Sequence, residues 1–136
     1  MLYLDANFFI FAILDNTKTG EKARQIQREI LEGKREALTS SLALDEVMWV
    51  LRKNNRQALI RKVIEDIYAS PHLQVVGVSS LVPLRALGTM EKYGLKPRDA
   101  FHAAVMEELN VSTIVSDDPD FDRVKWIKRI KNYWQN

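Results

Sequence analysis

Residues 96–118 read KPRDAFHAAVMEELNVSTIVSDD, a helical pattern that hands over directly to a strand. Pro97 suits the first position of a helix, where its missing N–H costs nothing, and the helical period then runs to about Leu109. Asn110 interrupts it. Val111 to Val115 follows as a β-branched run, closed by Ser116-Asp117-Asp118. The same alternation extends outward to both ends of the chain. Leu2 to Leu4 reads as a buried strand ending at Asp5, and Phe8 to Leu14 as a buried helix capped by Asn7. Ala23, Ile26, Ile30 and Leu31 recur at helical spacing before Gly33, and Ala37 to Thr39 gives a second strand running into Ser40-Ser41. Helices are expected at 42–53 and 56–69, with Asn54-Asn55 as the break, and a third strand at Leu73 to Val78. Ser79-Ser80 opens a helix that stops at Gly94, and Val124 to Ile127 reads as a fifth strand. Strands alternating with helices predict an α/β domain around a mostly parallel sheet of four or five strands. In such a sheet a ligand sits beyond the carboxyl ends of the strands.

The 136 residues suffice for one domain spanning 1–136, which would bury roughly two-thirds of its unfolded surface. At 46% hydrophobic and 28% charged residues, the chain is neither a disordered tail nor a membrane protein. The absence of cysteine excludes disulfides, thiol nucleophiles, zinc ribbons and iron–sulfur sites. His72 and His102 alone are too few for a histidine-rich metal centre. No apolar run approaches the roughly 20 residues of a membrane span, and Met1 to Leu4 lacks the features of a secretory signal. A net charge of +2 is too small to name a partner.

Carboxylates gather after the strands. Asp5 closes the first, and an Asp there commonly caps a turn or helix. Glu46 has Leu42, Ala43, Trp49 and Val50 as helical neighbours, so it either interrupts an inward face or sits at its rim. Burying it would require a cation or hydrogen-bond donors. Asp45 needs only a dipole role near its helix start. Asp99, in the first turn after Pro97, is favoured by the helix dipole, and His102 three residues on could reach it or simply pack. Asp117, Asp118, Asp120 and Asp122 crowd within six residues, and like charges this close need compensation. They are not an EF-hand: Arg123 stands where its glycine belongs and Arg129 where its closing Glu belongs. Should Asp5, Glu46, Asp99 and Asp118 converge, the donor set would be all oxygen and suited to Mg²⁺ or Mn²⁺ rather than zinc.

Four segments in order carry a family resemblance. They are Leu4-Asp5-Ala6-Asn7, Ser41 to Glu46-Val47, Lys96 to Ala104, and Ile114 to Phe121. Together they resemble a PIN domain, and more narrowly the VapC-type ribonuclease toxins of prokaryotic toxin–antitoxin pairs. The resemblance implies a three-layer α/β/α sandwich and a Mg²⁺- or Mn²⁺-dependent endoribonuclease. Residue by residue it implies Asp5, Glu46 and Asp99 as metal-site acids. It implies Asp118, two residues after Ser116, as the fourth, with Asp117 as the competing assignment. Asn7 matches a residue that helps hold the first acid, and Ser116 stands where Thr is common. The resemblance further implies an antitoxin partner, a homodimer and a cytoplasmic location.

Basic residues cluster without acids from Arg52 to Lys62 (Arg52, Lys53, Arg56, Arg61, Lys62) and from Arg123 onward (Arg123, Lys125, Lys128, Arg129, Lys131). The second stretch adds Trp126, Tyr133 and Trp134, a mixture suited to phosphate attraction and base stacking or to a solvated face with aromatic anchors. Arg52, Arg56, Lys125, Lys128 and Arg129 are therefore candidate RNA contacts. Arg98, beside Asp99, could neutralise transition-state charge or pair with a carboxylate. A non-cleaving RNA-binding module is the alternative function. Two other phosphoryl-transfer folds fail on the sequence. Asp5-Ala6-Asn7 lacks the second acid of a haloacid-dehalogenase-like phosphatase, and Gly77-Val78-Ser79 offers no phospho-acceptor Asp for a response-regulator receiver.

Overall fold

The structure, a computed structural model, describes residues 1–130. Five strands form one all-parallel sheet: β1 (Leu2–Leu4), β2 (Ala37–Ser40), β3 (Leu73–Val76), β4 (Thr113–Val115) and β5 (Lys128–Ile130), in the order β3-β2-β1-β4-β5. Six helices surround it: α1 (Ala6–Leu14), α2 (Lys18–Leu31), α3 (Ser41–Lys53), α4 (Ile60–Ala69), α5 (Val82–Tyr93) and α6 (Pro97–Glu108). Parallel strands need long crossovers, and the helices supply them.

Side chains alternate across a strand, so each strand feeds two cores. Leu2, Leu4, Ala37 and Val115 pack with α1 to α4, while Tyr3, Leu38 and Ile114 pack with α5 and α6. The outcome is the expected three-layer arrangement, buried on both faces as parallel sheets are.

Local chemistry sets the ends of the elements. Gly94 stops α5 in the left-handed region at φ 68°, and Pro97 opens α6. Gly20 is required by close approach, because a Cβ there would lie 1.9 Å from the Asp15 carbonyl oxygen.

Three details correct the sequence expectations. α1 is capped by Asp5, whose Oδ1 accepts from the Phe8 N–H at 3.1 Å, so Asn7 lies inside the first turn and exposed. The helix predicted over 56–69 is split, a 3₁₀ turn at Gln57–Leu59 preceding α4. The fifth strand is Lys128–Ile130 rather than 124–127: a Pro119–Arg123 3₁₀ turn precedes it, and Val124 and Ile127 are still closing turns with their N–H groups. Both are buried without joining the ladder.

The order reverses at β1, which leads to β2 on one side while β4 lies on the other. Its carboxyl end is a topological switch point, the position where α/β sheets bind ligands. Asp5, Ser40 and Ser116 stand at the ends of β1, β2 and β4 there, and all three are buried.

Candidate active site

Beyond this edge the side chains form two linked groups. In the first, the Tyr3 hydroxyl lies 2.7 Å from Ser40 Oγ and 2.6 Å from His102 Nδ1, while His102 Nε2 lies 2.6 Å from Glu46 Oε1. Ser40 Oγ also caps α3 by accepting from the Ala43 N–H. Every proton of the chain finds an acceptor when His102 is the neutral Nε2–H tautomer. Ser40 then donates to Tyr3, Tyr3 to Nδ1, and Nε2–H to Glu46. Burial raises the Tyr3 phenol well above its ordinary range, so its proton stays on oxygen. The Glu46 side chain keeps only 16% exposure, with the Arg98 Nε 4.0 Å from its other oxygen. The rim position left open by the sequence is thus the one adopted, with His102 as the donor. His102 is neither surface nor apolar packing but the pivot of the network, with 3% of its side chain exposed.

Asp5 belongs to this group. Burial pushes its carboxyl up to about 6, against the lowering effects of a hydrogen bond from Ser116 and of the Phe8 N–H. Asn7 is not among its partners.

The second group is acidic throughout. One carboxylate oxygen from each of Asp99, Asp118 and Asp120 lies within 4.8 Å of the others. Asp99 is raised to about 7, by burial first and then by its hydrogen bond with Asp118 and the charges of Asp118 and Asp120. The 3₁₀ turn places Asp118 and Asp120 side by side, and the Asp120 N–H donates to Asp118 Oδ1 at 2.9 Å. Arg123 reaches Asp120 at 3.4 Å from a half-exposed position. Ser116 joins the two groups: its hydroxyl donates to Asp5 and accepts from the Asp118 N–H at 3.1 Å.

Of the expected set, Asp99 and Asp118 meet directly, joined by Asp120, while Asp5 is linked to Asp118 through Ser116 and Glu46 is held by His102. Asp120 was missed as a site residue, although its two-residue spacing from Asp118 in a proline-led turn could have marked it. Asp117 turns elsewhere: Arg129 and Asp15 are its charged neighbours, and burial raises its carboxyl. An all-oxygen trio whose carboxylates crowd one another suits a hard divalent cation, so the residues present fit Mg²⁺ or Mn²⁺.

The basic candidates sort by their partners. Arg129 has a side chain only 6% exposed and grips Asp122 with two nitrogens at 2.9 and 2.7 Å, so it is structural rather than offered to RNA. Lys125 and Lys128 are exposed, and Trp126 is half-buried against the α5–α6 core. Lys131, Tyr133 and Trp134 lie outside the described residues. Arg61 and Lys62 pair with Glu65 and Asp66 one turn on, whereas Arg52 and Arg56 are exposed and form no ion pair among the described residues.

Residues 2–127 match the model of the PIN domain family, and the chain belongs to that family. Among solved structures it is similar to VapC20 of Mycobacterium tuberculosis, a sarcin-ricin-loop-cleaving toxin. The TM-score is 0.74 at 16% identity, over 93% of this chain and 97% of that one. VapBC2 from Rickettsia felis, bound to a promoter DNA fragment, gives 0.72 at 19% identity over 96% and 98%. DNA-bound VapBC from Salmonella typhimurium gives 0.71 at 20% identity over 96% of each chain. At these identities the likeness is one of fold. No curated protein matches the chain.

Proposed function

We propose that this chain is a Mg²⁺- or Mn²⁺-dependent endoribonuclease, the toxin of a type II toxin–antitoxin pair, hydrolysing RNA phosphodiester bonds with water. The observation that carries this reading is the Asp99, Asp118 and Asp120 trio at the switch point of a PIN fold. Asp99, Asp118 and Asp120 would hold the cation, with Asp5 and Glu46 reaching it directly or through its waters. When bound, it would supply a water of lowered pKa and charge neutralisation at the phosphate. The chain's own residues orient the rest. Ser116 fixes Asp5 relative to Asp118, and the Tyr3–His102 pair holds Glu46 at the rim. Arg98, half-exposed beside Glu46, is placed to meet phosphate charge.

An antitoxin is the proposed protein partner, covering the acidic edge with a basic segment. A homodimer would use the leucines that α5 leaves in solvent, Leu84 and Leu87. A cytoplasmic location goes with this reading. Among the described residues no helix is long and apolar enough to cross a membrane.

The test is cleavage of labelled RNA in Mn²⁺, Mg²⁺ and EDTA by wild type, Asp5→Asn and Asp99→Asn, alongside Mn²⁺ calorimetry. Cutting that needs metal and both acids, with heat of binding lost in Asp99→Asn, is the expected result. Cleavage that persists in both variants excludes this site. Metal and RNA binding without any cutting leaves the non-cleaving module.

A further inference from the structure

The outer side of α3 carries a surface that the acidic site does not use. Trp49 is 55% exposed, a large apolar area to leave in water, and Met48 beside it is also exposed. The Lys53 ammonium sits over the Trp49 ring, 5.5 Å from its centroid. These side chains line one cleft with Asp45, Arg52 and Ile60. Asp45 is its only carboxylate, against two cations, and Arg56 adds a third just past the helix end. Neither Arg52, Lys53 nor Arg56 forms an ion pair among the described residues, although Arg61 and Lys62 on α4 do. The negative end of the α3 dipole accounts for cations at 52 and 53. It does not account for an exposed indole between them and the site.

Position along the helix supplies the connection. Glu46, Trp49 and Lys53 are spaced by three and four residues, so they share one side of α3. At 1.5 Å per residue, Trp49 stands about 4.5 Å and Lys53 about 10.5 Å along the axis from Glu46. A line of chemistry therefore leaves the acidic edge in the order carboxylate, aromatic face, cation. A single nucleic-acid strand presents the complement of the last two: flat bases alternating with phosphates.

We propose that Trp49 is a base-stacking platform for single-stranded RNA leaving the acidic edge, with Lys53 and Arg52 holding the flanking phosphates. The proposal rests on the reading of this protein as one that acts on RNA and identifies which surface grips the strand. Lys53 closes one face of the indole, so the base stacks on the other. The contact is sequence-tolerant, because every base has a π-face. It anchors the strand, and base choice is left to other contacts.

The experiment uses Asp99→Asn protein, so that the probe stays intact, and a fluorescein-labelled mixed-sequence 12-mer RNA read by anisotropy. Adding Trp49→Ala should weaken binding roughly 5- to 150-fold, the range expected for one lost stacked base, while Trp49→Phe keeps most of the affinity. Arg52→Gln and Lys53→Gln should each make the log K against log salt slope shallower by about 0.7. Equal affinity with and without the indole overturns the platform, as does failure of the Asp99→Asn protein that retains Trp49 to bind the RNA. A fall in molar mass on light scattering in Trp49→Ala also overturns it, because the face would then be an interface between copies. Metal-dependent cleavage by wild type is measured in parallel. Cleavage with Trp49-independent binding sinks the platform alone, and Trp49-dependent binding without cleavage sinks the nuclease reading alone.

Discussion

At the β1 end of the acidic edge each carboxylate meets a donor: Asp5 accepts from Ser116 and the Phe8 N–H, and Glu46 accepts from His102. At the β4 end, Asp99, Asp118 and Asp120 chiefly meet one another, relieved by one backbone amide and a half-exposed arginine. The first arrangement gives each carboxylate a partner as folded, which offsets part of the cost of burying it. The second holds like charges at close range and leaves their repulsion to a cation. One end of the edge is thus built by folding, and the proposed cation would complete the other. Substitutions at the two ends should behave oppositely.

Asp99→Asn should give the largest effect. On the proposed function Asp99 holds the cation, so its loss should remove several kcal/mol of charge stabilisation, a fall in RNA cleavage of more than roughly a hundredfold. Metal-free thermal stability should hold or rise, since repulsion is relieved. A melting temperature lowered by several degrees would put Asp99 with the structural end and erase the contrast.

His102→Ala should do the reverse to stability. It strands the Tyr3 hydroxyl and Glu46 and leaves a cavity, costing about 2–4 kcal/mol in urea unfolding with metal absent. Tyr3→Phe, which removes one hydroxyl, should cost about 1–2 kcal/mol. If both variants unfold like wild type, the buried network is not what fixes Glu46.

The pH dependence sharpens the same comparison. Asp5 and Asp99 bind their protons more tightly folded than unfolded, with carboxyls at about 6 and about 7. Their stabilising contribution is complete below the ordinary carboxylate range and is lost as pH rises through those values. Metal-free protein should therefore lose about 2 kcal/mol between pH 5 and pH 8, chiefly through the buried Asp5. Calorimetric melting across that range should show a shallower slope with saturating Mn²⁺. A metal-free melting temperature that climbs over the interval would contradict the burial of Asp5.

Glu46→Gln should be the mildest. The amide oxygen can still accept from His102 Nε2, so metal-free stability should change by less than about 1 kcal/mol. A larger loss would mean that the charge of Glu46 serves folding.

Much of the fold was legible because its signals are local. Pro97 marks a helix start by its fixed φ and Gly94 a helix stop by its access to the left-handed region, and the β-branched runs mark strands wherever both faces are buried. Legibility failed where neighbours compete for one role. Asp5 and Asn7 could each cap α1, and only the position of the Phe8 N–H decides for Asp5. Val124 and Ile127 have a strand's composition, yet the preceding 3₁₀ turn delays the ladder to Lys128. The acids themselves stood out by type and by their places after the strands. Asp120 was not separated from its acidic neighbours, because a five-residue 3₁₀ turn is too short to show a periodic pattern.

Sequence alone determined the chemical inventory: an all-oxygen donor set, no thiol, two basic runs that contain no acid, and an α/β order that delivers carboxylates to one sheet edge. These follow from residue type and near-neighbour spacing, which the chain carries whether folded or not. Tertiary structure alone decided which partners the acids meet. His102 and Glu46 are 56 residues apart, and Tyr3 and His102 are 99 apart. No local preference specifies such pairs. They exist because the packed sheet and helices bring these polar atoms within hydrogen-bond reach of one another.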